Sequence, residues 1–184
     1  MPHTSVTTWY LEIPDPCELR PKRSPRADLA LVPVDPPMPE LNRFLYATVG
    51  GGWYWTDRLP WKLQKWHDYL NRRELQTWLL TAAGLPAGYF ELEAQPGQSV
   101  EVAYFGLLPS FIGQGLGGHL LTCAIEHGFA MGARRVWLHT CSLDHPQALA
   151  NYQARGLRLY HQETEIKRIP EAPTGPWPGA LGDG

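Results

Sequence analysis

The amino-acid sequence predicts an α/β protein of the α+β kind, with a mixed, mostly antiparallel sheet of about six to seven strands flanked by about four helices. Three strand-like runs follow one another between residues 74 and 108 with short connections, which favours antiparallel neighbours. A helix, a strand, a second helix and a final strand come next, which indicates a crossover back to the same sheet. Helices are therefore expected on both faces of the sheet.

The first part of the chain predicts one strand and two helices. Residues 5–14 are rich in β-branched and aromatic side chains, so they are expected to form a strand that ends at Pro14. Residues 14–39 are rich in proline and have few periodic apolar positions, which indicates an irregular connector. Apolar residues at helical spacing, with glycines behind them, predict a helix over 39–50, and an aromatic loop then leads into a second short helix.

The remaining elements follow from changes in the hydrophobic period. In chain order they are strands over 74–84, 86–95 and 99–108, a helix that ends at Gly132, a strand over 134–141, a helix over 144–156 capped by Asp144 or His145, and a strand over 157–169. We therefore expect a single domain over residues 1–169. The tail over 170–184 is rich in proline and glycine, a composition typical of disorder.

Composition and charge exclude several classes of function. The formal net charge is −2 and the one basic run, at residues 19–26, is short, so we expect no nucleic-acid partner and interpret the run as a solvated connector. Cys17, Cys123 and Cys141 lack the paired spacing of zinc ligands, so no metal is expected, and their odd number fits a reducing, cytoplasmic compartment. The sequence has neither a signal pattern nor an apolar run that would cross a bilayer, so we expect no membrane partner.

Residues 109–129 place four glycines within six positions and then continue as an amphipathic helix. Glycines let successive backbone N–H groups turn toward one point, and the helix N-terminus adds its positive dipole end, so a pyrophosphate is the expected ligand. The spacing of Gly113, Gly115 and Gly118 also matches the dinucleotide fingerprint G-x-G-x-x-G. The antiparallel strands before this turn disfavour a doubly wound sheet, so a dinucleotide-binding oxidoreductase is the weaker alternative.

The stretch VEVAYFGLLPSFIGQGLGGHLL, residues 100–121, resembles the acetyl-coenzyme-A loop of the GNAT N-acetyltransferase superfamily. The pattern of that family is Gln/Arg-x-x-Gly-x-Gly/Ala after a strand. Gly115 and Gly117 fill the two small positions, and Pro109 stands where a proline is common. Ile112 replaces the leading Gln/Arg, which puts one side-chain contact to the phosphates in doubt but leaves the backbone grip in place.

A second stretch, residues 143–157, is similar to the closing helix of the same family, which ends in Tyr-x-x-x-Gly-Phe. Tyr152, Gly156 and Leu157 occupy those places. The resemblance implies the GNAT fold, with acetyl-CoA as the cofactor. It also implies an N-acetyltransferase that moves the acetyl group to a primary amine of a small molecule or peptide, by direct attack in a ternary complex. Many members are dimers, so the resemblance is compatible with a homodimer.

The resemblance also implies which residues hold the cofactor. Backbone N–H groups of the glycine turn would grip the pyrophosphate, and a distorted strand end would bind the pantetheine arm and stabilise the oxyanion. His145 replaces an asparagine that often precedes the family tyrosine by seven residues. The expected cofactor-binding residues are Phe105, Gly106, Leu107, Leu108, Ile112, Gly113, Gln114, Gly115, Leu116, Gly117, Gly118 and His145.

Amine acetylation needs a base for the amine and an acid for the leaving thiolate. Glu101 is the expected base, because it precedes the Gln/Arg position by the eleven residues found in histone-acetyltransferase members. Glu91 and Glu93 on the preceding strand remain alternatives. Tyr152 is the expected acid, since a phenol stays protonated at neutral pH until a stronger base forms beside it.

Two further groups of residues are candidates for the acceptor side and for catalysis. Trp53, Trp55 and Asp57 are the expected substrate residues, because an aromatic wall with a carboxylate suits a cationic amine. Packing of a small helix on the sheet is the alternative role of these aromatics. His139 and Cys141 share a face of their strand, but the sequence names no third residue that would orient such a pair.

The identity of the acceptor does not follow from the sequence, since a fold does not determine its substrate. A module that binds acyl-CoA without catalysis would carry the same glycine turn, so it remains the alternative function.

Overall fold

The computed structural model describes residues 3–177 and 179–181. Within these ranges the chain forms seven strands and four α-helices. Their bounds are β1 (His3–Ile13), β2 (Leu29–Pro33), α1 (Pro39–Gly50), α2 (Leu63–Leu70), β3 (Leu75–Ala82), β4 (Leu85–Gln95), β5 (Ser99–Leu107), α3 (Leu116–Ala130), β6 (Arg135–Cys141), α4 (Ala148–Ala154) and β7 (Arg158–Arg168). None of the helices in the described part of the chain has the length and hydropathy of a membrane span.

The seven strands form one sheet in the order β2-β3-β4-β5-β6-β1-β7. All neighbours are antiparallel except β5 and β6, which run parallel, so the predicted mixed and mostly antiparallel sheet is confirmed. The prediction missed β2, which lies inside the proline-rich connector. Its Pro33 fits there because β2 is an edge strand, where a missing N–H breaks no ladder.

Helix α3 packs on one face of the sheet, and its position follows from its apolar stripe. The predicted core face is confirmed, because the side chains of its inner row have no exposed surface: Leu116, Leu120, Leu121, Ala124 and Ile125. Helices α1 and α2 cover the opposite face, where Tyr46, Trp66, Leu70 and Leu75 form a second apolar cluster. The sheet therefore has two separate cores, one on each face.

The basic run at residues 19–26 is exposed for most of its length but is fixed along α3. The Lys22 backbone N–H donates to Thr122 Oγ1 over 2.9 Å, and the Arg23 guanidinium pairs with Glu126. Further along, Arg26 Nη1 donates to Gln114 Oε1 over 2.8 Å. The interpretation as a solvated connector is therefore incomplete, since these contacts bring a row of cations to the start of α3.

The described part of the tail contacts the turn after α1, and the disorder expected from its composition stays a prediction. We call residues 169–177 the C-terminal strap. It leaves the end of β7 and reaches the turn after α1, where Gly175 N–H donates to Gly51 O over 3.0 Å. A Cβ on Gly51 would lie 2.7 Å from the Gly175 carbonyl carbon, so this close approach requires glycine.

Candidate active site

A cleft opens where β5 and β6 separate. The two strands pair over only three positions, from Ser99–Arg135 to Glu101–Trp137, although β5 continues to Leu107 and β6 to Cys141. A β-bulge opposite Glu91 and Leu92 adds one residue to β5 and bends it. The divergence leaves a cleft of about 940 Å³ that reaches from the glycine turn to the aromatic loop.

The glycine turn forms one end of this cleft. Gly113 and Gly115 have φ angles of +83° and +75°, in the left-handed region that favours glycine, and Gly115 is the N-cap of α3. No atom lies within 4 Å of a Cβ built on either residue, so the backbone conformation rather than crowding requires glycine there. The first N–H groups of α3 therefore border the cleft at the positive end of a fifteen-residue helix, where an anion is stabilised.

Two cations that the sequence analysis did not single out lie beside this turn. A Cβ on Gly118 would come within 2.5 Å of Arg155 Nη1 and 2.7 Å of Lys22 Cδ, so both side chains cross the start of α3. Both also line the cleft. Arg155 Nε is buried without a hydrogen-bond partner among the described residues. A phosphate would supply the missing acceptor, which compensates for Ile112 at the Gln/Arg position.

The structure brings most of the predicted cofactor residues to the cleft. The following line it: Phe105, Gly106, Leu107, Ile112, Gly113, Gly115, Leu116, Gly117, Gly118 and His145. Leu108 and Gln114 do not line it, and their part in cofactor binding stays a prediction. The Leu108 backbone N–H already donates to Ala87 O over 2.9 Å, and the Gln114 amide bonds to Arg26 and to Ser110 O.

Tyr152 lies on α4 and lines the cleft, with 7 % of its surface exposed. Its ring meets Phe105 edge-on, with the centroids 6.0 Å apart. Burial raises the pKa of Tyr152 well above its usual value, and the nearby Asp144 and Cys141 raise it further. The phenol therefore holds its proton throughout the neutral range and suits the role of an acid.

Glu101 lies on β5 beside the cleft, but its side chain is not one of those that line the cleft. Its carboxylate accepts a hydrogen bond from Gln95 Nε2 over 2.8 Å and lies 3.3 Å from His139 Nδ1. His139 does line the cleft, and 47 % of its side chain is exposed. Glu101 thus contacts a histidine that itself reaches the cleft, and its role as the base stays a prediction.

The two alternative carboxylates are held in ion pairs outside the cleft. Glu91 is fully buried, and it accepts from Arg58 Nη1 over 2.8 Å and from Asn42 Nδ2 over 3.2 Å. Burial alone would lower the pKa of Arg58, but the Glu91 charge raises it above its usual value. Glu93 forms a two-point pair with Arg72, over 2.7 and 3.1 Å.

The aromatic loop forms the other end of the cleft, and Trp53, Trp55 and Asp57 all line it. The Trp53 ring meets the His145 ring edge-on, with 5.0 Å between centroids. Trp55 packs against Tyr104, and its Nε1 donates to Asp144 Oδ1 over 3.4 Å. The aromatic loop thus contacts the segment before α4 across the mouth of the cleft.

Other cleft residues were not singled out as functional from the sequence. Asp144, expected as a helix cap, instead accepts from Thr140 Oγ1 over 2.6 Å and from Cys141 N–H, and α4 begins later, at Ala148. Residues 167–170, at the end of β7 and the start of the strap, line the cleft as well. The basic run at residues 19–26 could have indicated Lys22 as an anion-binding residue. No sequence pattern near the strap indicated that it reaches the cleft.

A strand-splayed sheet with a glycine-turn anion site is the architecture of an acyl-CoA-dependent transferase. The model of the Acetyltransferase (GNAT) family matches residues 39–157, well over half of the chain. The chain therefore belongs to the GNAT acetyltransferase family.

Solved structures share the fold at low sequence identity. A GCN5-related N-acetyltransferase from Kribbella flavida is 22% identical with a TM-score of 0.64, and the match covers 87% of this chain and 57% of that one. One from Sphaerobacter thermophilus is 14% identical with a TM-score of 0.66, covering 94% and 56%. An aminoglycoside acetyltransferase from an uncultured soil metagenomic sample is 12% identical with a TM-score of 0.62, covering 78% and 97%.

The chain thus spans less than two thirds of the length of the first two of these structures. No curated protein matches the sequence. At these identities the likeness shows the fold alone.

Proposed function

We propose that the chain is an N-acetyltransferase that moves the acetyl group of acetyl-CoA to a primary amine of a small molecule or peptide, by direct attack in a ternary complex. The observation that carries the proposal is the continuous cleft between the diverging ends of β5 and β6. This cleft joins an anion-binding turn to an aromatic wall, with Tyr152 between them. The three free cysteines support a cytoplasmic setting for the reaction.

The residues at the donor end fit coenzyme A. N–H groups at the start of α3, together with Lys22 and Arg155, would hold its phosphates. Beyond Glu101, the edge of β5 that faces β6 has no strand partner, so its free backbone groups would hydrogen-bond the amides of the pantetheine arm. When bound, acetyl-CoA supplies an acetyl group activated as a thioester.

The reaction then needs a deprotonated amine, a stabilised oxyanion and an acid. The amine nitrogen forms a bond to the acetyl carbon while the bond from that carbon to sulfur breaks. Backbone N–H groups near Phe105 would stabilise the negative charge that develops on the carbonyl oxygen. The Tyr152 hydroxyl would give its proton to the departing sulfur, since burial keeps it protonated until that thiolate forms.

The acceptor end supports an amine that is cationic in solution. Trp53, Trp55 and Tyr104 offer aromatic surfaces to such a group, and the exposed Asp57 lies at the mouth. The structures that share the fold include an aminoglycoside acetyltransferase and the ribosomal-protein-S18-alanine N-acetyltransferase of Escherichia coli. An acceptor panel therefore needs polyamines, aminoglycosides and peptides with a free N-terminus.

The test follows the release of free coenzyme A thiol from acetyl-CoA with each amine of this panel. We expect at least one amine to be acetylated, with the product identified by mass spectrometry. Tyr152→Phe should lower kcat about 10²-fold, the usual contribution of a general acid. Tyr160→Phe, on the exposed strand β7, is the matched control and should keep the wild-type rate.

Two outcomes would overturn the proposal. If coenzyme A raises the melting temperature but no amine turns over, the chain is an acyl-CoA-binding module. If NAD binds in preference to coenzyme A, the chain uses a dinucleotide.

A further inference from the structure

Two hydrogen bonds lead from Trp137 to Glu101, whose carboxylate lies beside His139. Trp137 Nε1 donates to Gln95 Oε1 over 3.0 Å, and Gln95 Nε2 donates to Glu101 Oε2 over 2.8 Å. The second carboxylate oxygen, Oε1, lies 3.3 Å from His139 Nδ1. Glu101 is therefore held from one side by an amide and contacts the imidazole from the other. A carboxylate in this place favours the tautomer with the proton on Nδ1, which leaves a lone pair on Nε2.

His139 also has a special place in the sheet. The last paired residues of β5 and β6 are Glu101 and Trp137, and His139 is the next β6 residue on the same face. It is therefore the first side chain of that face inside the opening. Cys141 follows on the same face and is close enough to Tyr152 to raise the pKa of the phenol. The imidazole and the phenol both line the cleft.

We propose that His139 is the general base for the acceptor amine and that Glu101 is the positioning residue that orients it. This inference rests on the proposed acetyl transfer. His139 Nε2 takes a proton from the amine nitrogen as the nitrogen–carbon bond forms. The carbon–sulfur bond breaks, the sulfur takes the proton of Tyr152, and solvent then exchanges protons to restore both side chains. The amide and the free thiol are the products, so the protons balance.

Titratable and charged groups from four strands surround His139 on its face of the sheet. They are Glu101 on β5, Tyr10 on β1, Cys141 on β6, and His161, Glu163 and Lys167 on β7. A hydrogen bond to Glu163 raises the pKa of Tyr10 to about 12, and burial raises the pKa of the Cys141 thiol. These two groups therefore stay uncharged near neutrality and carry no charge that would act on His139.

The kinetic test uses acetyl-CoA with whichever amine of the panel is turned over. A base must be unprotonated, so kcat/KM should rise with pH along a limb set by an imidazole, within about pH 5–8. His139→Gln should lower kcat/KM about 10²-fold and remove this limb. Glu101→Gln should cause a smaller loss, because it leaves the imidazole in place and removes only the group that orients it.

Controls separate this role from a structural one. His161→Gln removes another histidine next to Tyr10, at 5.3 Å between ring centroids, and should leave rate and pH profile unchanged. The double variant of His139 and Glu101 should be no worse than His139→Gln alone, since both act through one group. A His139→Gln variant with the wild-type rate and pH profile would overturn the proposal.

A second measurement does not depend on turnover. Long-range ¹H–¹⁵N spectra of ¹⁵N-histidine protein, assigned with His139→Gln, report which ring nitrogen carries the proton. We expect Nδ1 to carry it in the wild type and the preference to be lost in Glu101→Gln. If the wild type carries the proton on Nε2, or if Glu101→Gln does not change the tautomer, Glu101 does not orient His139, even if an amine is acetylated. If no amine is acetylated, the proposed function fails, and the spectra still decide whether Glu101 orients His139.

Discussion

The two ends of the cleft are built in different ways. The backbone of the donor end is a contiguous stretch, in which β5, the glycine turn and the start of α3 follow one another from Ser99 onward, and only Lys22 and Arg155 are added from distant parts of the chain. The acceptor end combines the loop after α1, the segment before α4 and the C-terminal strap, which lie far apart in the chain. The donor end therefore depends on backbone conformation, whereas the acceptor end depends on side chains that tertiary packing brings together. Changes at one end should leave binding at the other unaltered.

The largest effect is expected where the acceptor end rests on the buried pair of Arg58 and Glu91. Glu91→Ala leaves an unpaired buried guanidinium, so the free energy of unfolding should fall by about 3–5 kcal/mol, measured by denaturant titration. Glu93→Ala on the same strand removes the partly exposed pair with Arg72 and should cost no more than about 1 kcal/mol. Equal losses for both variants would show that the buried pair contributes no more to stability than the partly exposed pair.

The next effect concerns the cations at the donor end. Arg155→Gln should weaken coenzyme A binding at least tenfold in calorimetry, because a charge-assisted hydrogen bond contributes about 1.5–3 kcal/mol. The salt dependence of binding should also become less steep. Arg23→Gln is the matched control, since Arg23 pairs with Glu126 on the outside of α3. If Arg155→Gln binds coenzyme A with unchanged affinity, Arg155 does not contact the phosphates.

The glycine turn offers a test of backbone conformation. Gly115→Ala places a Cβ at φ +75°, which should cost about 1–2 kcal/mol of stability and weaken coenzyme A binding. Gly97→Ala, at φ +78° in the turn between β4 and β5, carries the same backbone strain away from the cleft. Only the first variant should alter coenzyme A affinity, and a similar change in both would contradict a local role of the turn.

The smallest effect on stability is expected at the strap. Gly51→Ala has an ordinary helical φ, so it adds no backbone strain at residue 51, and the loss should be confined to the strap, because the new Cβ displaces Gly175. We expect faster proteolysis of the strap and a changed KM for the amine, with the KM for acetyl-CoA unaltered. Gly52→Ala is the control, because its Cβ would meet its nearest neighbour, Leu181, at 3.9 Å. A strap with unchanged protease sensitivity would argue against this contact.

The features that could be predicted from the sequence are those that a local residue pattern determines. The glycine turn needs positive φ angles at Gly113 and Gly115, and the apolar row of α3 needs a core, so both were predicted. Tyr152 was expected in the site because residues 143–157 resemble the closing helix of the GNAT family. These features depend on neighbours within a few residues, so their signals are complete in the sequence.

Features that depend on distant contacts were missed or only partly predicted. The edge strand β2 has a proline-rich sequence and gains its ladder from β3. Lys22 reaches the cleft because its segment is held along α3, a contact across a hundred residues. Glu101 was identified as a catalytic candidate, but the direction of its carboxylate depends on Gln95 and His139, which lie on two other strands. Side-chain partners of this kind are a property of the assembled sheet.

The place of β1 has a consequence for how the protein folds. β1 lies between β6 and β7, and Thr7 contacts Ser142 across 135 residues of chain. The antiparallel run from β3 to β5 pairs locally and can form early, whereas β1 has no partner until both late strands are made. During synthesis β1 therefore leaves the ribosome as an unpaired, β-prone segment. Its insertion completes the sheet, so we expect this step to limit the rate of folding and the unpaired strand to be the segment that chaperones protect.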